Sequence, residues 1–70
     1  MNTTLGITVN GAPSTVEDGT TVAELVDATA GRRGGVAVAV NEDVVPRAHW
    51  NTTAVKPDDR VEILTAVQGG

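Results

Sequence analysis

An α+β domain in which a mixed, four- to five-stranded sheet curls around one α-helix, the β-grasp arrangement, is the fold this sequence predicts. Three observations carry it. Period-two alternation of apolar and polar or small residues recurs at the start, in the middle and near the end of the chain. A single helix with a capping box lies between the first hairpin and the later strands. A chain of 70 residues has room for one core and no second domain.

Leu5-Gly6-Ile7-Thr8-Val9 alternates large apolar with small or polar residues, which puts one set of side chains on a core face and predicts the first strand. Asn10-Gly11 accepts the positive φ angles of a tight hairpin turn, and the chain resumes through Pro13-Ser14-Thr15-Val16. Glu17-Asp18-Gly19-Thr20 is a polar connector. Thr21-Val22-Ala23-Glu24 then has capping-box spacing, in which Thr21 accepts from the Glu24 amide while the Glu24 side chain reaches back. Val22, Leu25, Val26 and Thr29 recur at helical spacing and predict a helix of about ten residues, ended by Gly31 and Gly34-Gly35. So short a helix depends on tertiary packing.

Val36-Ala37-Val38-Ala39-Val40 predicts a central strand with its valines toward the helix and its alanines on a shallow outer face. Asn41-Glu42-Asp43 turns the chain, and Val44-Val45-Pro46 fits only a short or edge strand, because proline lacks an amide donor. Residues from Arg47 to Val55 read as irregular or single-turn structure. Lys56-Pro57-Asp58-Asp59-Arg60 is a turn whose aspartates can bond nearby amides, and Val61 to Val67 is the last strand. The domain is thus expected over residues 1–67, with 68–70 as a flexible tail.

Composition narrows the chemistry. The absence of cysteine excludes a disulfide scaffold, a thiolate zinc site and an ordinary iron–sulfur cluster. One histidine, His49, is too few for a usual metal centre or catalytic triad. Nine acidic residues against five basic ones, without a basic run, disfavour nucleic acid; Arg32-Arg33 read as a solvated loop. The longest apolar stretch, Val36 to Val40, cannot span a bilayer, and Met1-Asn2-Thr3-Thr4 opens no secretory signal, so a cytoplasmic location is expected. No convergent titratable cluster is readable, which disfavours an enzyme.

The group left for chemistry is the terminal carboxylate. Gly69-Gly70 follows the last strand, and a side-chain-free tail can enter a channel too narrow for any other residue. A final Gly-Gly alone also fits a frayed end.

Val40-Asn41-Glu42-Asp43-Val44-Val45-Pro46-Arg47, Trp50, and Asp59 to Gly70 together resemble the ThiS family, the ubiquitin-like β-grasp sulfur carriers of thiamine biosynthesis. Val44-Val45-Pro46-Arg47 with Trp50 and the Thr65-Ala66-Val67-Gln68-Gly69-Gly70 ending are the most specific parts. Asp58 departs from the pattern, where such sequences usually carry glycine. The resemblance implies that an E1-like adenylyltransferase (ThiF-like) uses ATP and Mg²⁺ to convert the Gly70 carboxylate to an acyl-adenylate. Sulfur from a persulfide donor then leaves a thiocarboxylate on Gly70, which thiazole synthase (ThiG-like) consumes. Gln68 and Gly69 would pass through the partner channel, and the carrier would bind no cofactor and supply no catalytic residue of its own.

Strand parity places Leu64 and Ala66 outward if Val61 and Ile63 face the helix, so Leu64 beside the alanines of the third strand is either a docking face or a scattered surface residue. Arg47 reads as a partner contact or as half of an ion pair. Trp50 is expected to cover the helix or the sheet edge, and His49 to be exposed. Other functions fit the same ending: the small-subunit sulfur carrier of molybdopterin synthase, a ubiquitin-like protein modifier, or an interaction module without tail chemistry.

Overall fold

Strands β1 (Thr4–Val9) and β2 (Ala12–Glu17) form the opening hairpin in a computed structural model that describes residues 3–66. Asn10 and Gly11 have φ of 51° and 82°, the left-handed pair that matches the twist of the flanking strands in a two-residue turn. Helix α1 (Val22–Thr29) starts in the expected capping box. The Thr21 amide donates to Glu24 Oε1 at 3.0 Å, and the Glu24 amide donates to Thr21 Oγ1 at 3.2 Å. A further amide of the helix start, that of Val22, donates to the Thr53 carbonyl at 2.8 Å.

α1 is eight residues long rather than ten, because Gly31 turns left-handed (φ 72°) and its amide bonds back to the Val26 carbonyl. The buried stripe is Val22, Ala23, Leu25 and Val26. Thr29, expected in that stripe, is exposed; it lies in the final turn and its hydroxyl donates to the Leu25 carbonyl at 2.7 Å.

β3 (Val36–Val40), β4 (Asp43–Val44), a 3₁₀ helix (Arg47–Thr52) and β5 (Arg60–Thr65) complete the chain order. The sheet runs β2-β1-β5-β3-β4, with β1 and β5 parallel and the other pairs antiparallel. The last strand therefore lies at the centre. Val38 pairs with Ile63 and Val40 with Val61, so the inner faces of β3 and β5 meet α1, while Ala37 and Leu64 pair on the outer face.

Two asparagines of hairpin turns brace β5. Asn41 opposes its start: Asn41 N donates to the Arg60 carbonyl at 2.8 Å, and Arg60 N donates to Asn41 Oδ1 at 2.9 Å. Asn10 reaches Ile63 from the other side, accepting from Ile63 N at 2.8 Å and donating to the Ile63 carbonyl at 3.1 Å.

Trp50 fills the space between α1 and the strand ends. It is 1% exposed, and its indole N–H donates to the Val45 carbonyl at 2.9 Å, so the largest core side chain leaves no polar atom unpaired. The turn before β5 behaves as the sequence suggests, with Asp59 accepting from the Lys56 amide at 2.8 Å. Asp58 sits at φ 67°, which explains why glycine suits that position.

Two stability predictions follow from these placements. Trp50→Ala is expected to cost about 3–5 kcal/mol, enough to unfold much of so small a domain in urea titration. Glu42 is held at φ 74° in the two-residue β3–β4 turn, and its ion pair with Arg60 joins side chains that are 63% and 76% exposed. Such a pair is worth little, so Glu42→Gly is expected to raise stability by about 0.5–1 kcal/mol. A lower urea midpoint for Glu42→Gly would contradict that strain.

Candidate functional site

The outer face at the end of β5 is where the described chain approaches its tail. Leu64 is 67% exposed and lies across from Ala37. Gly35, Val36, Ala37, Leu64, Thr65 and Ala66 line a shallow groove there. The expected pair of Leu64 and Ala66 is thus brought together with the alanine of β3. Gln68, Gly69 and Gly70, the residues expected to react or to thread a channel, lie outside the described residues.

Sequence reasoning missed Val44, which is 76% exposed. Its signal was available: a strand cut short by Pro46 pairs on one side only, and Val44 opposes Ala39, which itself opposes Glu62 on the outer face. Leu64, Ala37, Ala39 and Val44 hence share one side of the sheet, opposite α1. The other half of that side is charged, with Arg60 and Glu62 beside Thr8. Apolar surface is therefore concentrated toward the tail.

Arg47 opens the 3₁₀ helix, is exposed, and does not line the groove. The ion pair expected as its alternative role is absent among the described residues, where Glu42 is engaged by Arg60 instead. His49 is exposed, as expected.

The Arg32-Arg33 loop holds more structure than a solvated connector. Arg33 binds Asp27 through two bonds, at 3.0 and 2.9 Å, and that hydrogen-bonded pairing holds the Asp27 carboxyl below its ordinary value of 3.8. Because the folded value is lowered, the tether acts above the unfolded pKa and is lost as pH falls through the folded one. Arg32 Nη2 donates to the Ala66 carbonyl at 3.4 Å, and the Ala66 amide donates to the Gly35 carbonyl at 2.7 Å. The loop after α1 consequently touches the base of the tail.

These features define a ubiquitin-like β-grasp protein whose central, C-terminal strand ends beside an apolar surface. The sequence model of the ThiS family matches residues 7–70, and the chain belongs to that family. It is 35% identical over 52 residues to the sulfur carrier protein ThiS of Escherichia coli K12, a match covering 74% of this chain and 79% of that protein. The crystal structure of a thiamine biosynthesis protein (ThiS) from Geobacter metallireducens superposes with a TM-score of 0.72 at 40% identity, covering 94% of this chain and all of the other. A solution structure of a thiamine biosynthesis protein from the same organism gives 0.72 at 39% identity, covering 94% and 88%.

No helix among the described residues is long and apolar enough to cross a membrane. Because Leu64 is already largely in solvent, Leu64→Glu is expected to change stability by no more than about 0.5 kcal/mol in urea titration. A larger loss would show that the side chain is part of the fold and not of a free surface.

Proposed function

We propose that the sulfur is carried as a thiocarboxylate on Gly70. The chain is a sulfur carrier of thiamine biosynthesis by its family, acted on by other enzymes rather than a catalyst itself. The observation that carries the proposal is that the family match runs through residue 70 and so includes the Gly69-Gly70 ending.

The chemistry then belongs to the main chain. A carboxylate is a poor acyl donor because its oxygen leaves badly, so an adenylyltransferase joins it to the α-phosphorus of ATP, with Mg²⁺ and loss of pyrophosphate. The sulfane sulfur of a persulfide attacks the acyl carbon of Gly70 and AMP departs with the former carboxylate oxygen. A thiol cleaves the resulting acyl disulfide, which frees the thiocarboxylate and leaves a disulfide on the donor side. Thiazole synthase takes the sulfur. Gly70 lies four positions beyond Ala66, so the reacting carbon reaches at most about 14 Å beyond the last described residue, a span suited to a narrow channel. Gln68 and Gly69 occupy that span.

The apolar outer face fits a docking role in the same scheme. Leu64, Ala66 and Ala37 give the adenylyltransferase a surface beside the tail, with Arg47 as a further candidate contact from outside the groove. All of these steps are ones we assign to the cytoplasm.

Incubation with the adenylyltransferase, ATP, Mg²⁺ and a persulfide donor is expected to add one oxygen-for-sulfur exchange to the intact mass, and removal of Gly70 to abolish it. An unshifted mass under an enzyme that is active on its own carrier would refute the thiocarboxylate. In the same assay Leu64→Glu is expected to raise the carrier KM by about tenfold, the loss of a single apolar contact of ~1.4 kcal/mol. Equal KM values would remove Leu64 from the docking surface.

A further inference from the structure

We infer that Asn10 is a positioning residue for the tail chemistry, because its side-chain amide fixes where the last strand leaves the sheet. The inference rests on Gly70 being the reacting group.

The geometry begins with where β1 stops. β1 ends at Val9, opposite Val61, and the chain turns away at Asn10-Gly11. Alternation along β5 makes Ile63 the next residue whose backbone groups point toward β1, two positions closer to the tail, where β1 has no residue left to offer. The Asn10 amide takes that place. Its backbone N–H donates to the Val61 carbonyl at 2.8 Å, its Oδ1 accepts from Ile63 N at 2.8 Å, and its Nδ2 donates to the Ile63 carbonyl at 3.1 Å. A primary amide carries the same donor and acceptor as a peptide unit, so Asn10 prolongs the ladder by one step across 53 residues of sequence.

The turn alone does not require this residue, since glycine adopts a φ of 51° without strain. What asparagine adds is the pair of bonds to Ile63. With the Gly35 carbonyl holding Ala66 N from the β3 side, the two contacts grip both edges of β5 just before the tail. Without the Asn10 amide, the Ile63 N–H and C=O lose their partners, and the strand end explores a wider range of directions. A reacting group on a looser support spends less time in the productive geometry, which lowers the rate of the bound complex more than the strength of docking.

Asn10→Gly keeps the turn and deletes the amide. Carrier-dependent pyrophosphate release by the adenylyltransferase then reads both kcat and KM, with Val38→Ala as a control that destabilises the buried core at Ile63's cross-strand neighbour while leaving both Asn10 bonds to the Ile63 backbone in place. We expect Asn10→Gly to lower kcat at saturating carrier about tenfold with KM within about twofold, and to accelerate exchange of the Ile63 amide by about tenfold or more. Val38→Ala is expected to keep its kcat, and Asn10→Asp, which restores only the acceptor for Ile63 N–H, to fall between Asn10→Gly and the wild type. An unchanged kcat in Asn10→Gly overturns the positioning role, as does an equal loss of kcat in Val38→Ala. A wild-type chain that is not adenylated at all overturns the Gly70 reading, and the role of Asn10 with it.

Discussion

The last strand of this protein lies at the centre of its sheet, and the remaining structure is arranged around that fact. A terminal strand placed at an edge has one ladder and frays readily. Here β5 has β1 on one side and β3 on the other. Parallel pairing of β1 with β5 needs a crossover, and α1 with the later hairpin supplies it. Val61 and Ile63, both part of the buried core, therefore stand shortly before the segment to which we assign the chemistry.

This constraint suits a chain of 70 residues with one large aromatic side chain. Such a domain buries only about 60% of the surface of its unfolded form, which leaves little interior for a catalytic pocket. The core is spent on rigidity: aliphatic residues of α1 and the inner sheet face, with Trp50 closing the side. In the function we propose, the chemistry lies outside the body, on the outer sheet face and the main-chain end. A sulfur carrier without cysteine fits the function we propose, in which the sulfur travels on an acyl carbon.

Much of this was legible in the sequence because the signals were local. Asn10-Gly11, the Thr21 to Glu24 box and the alternation from Val36 to Val40 each specify their structure within a few residues, and each forms as read. Parity along β5 likewise gave the outward Leu64. What escaped were features that depend on distant partners. The amide of Asn10 reads as turn chemistry until Ile63 is found beside it, and Arg32 reads as solvated until Ala66 is placed within its reach. Val44 gained its exposure only from the position of β4 at the sheet edge. Thr29 is exposed because the helix ends there, at a boundary set by the left-handed turn at Gly31. The Gly69-Gly70 ending drew its meaning from family resemblance rather than from composition.

The central claim is that this body serves to present one acyl carbon from which sulfur is handed on. Its most direct test is to load the carrier with a heavy sulfur isotope, remove the persulfide donor, and supply thiazole synthase with its remaining substrates in a single turnover. The account predicts that the label enters the thiazole ring in proportion to the carrier consumed, with the returned carrier ending in an ordinary carboxylate. Unlabelled thiazole formed while the carrier keeps its heavy sulfur would contradict it.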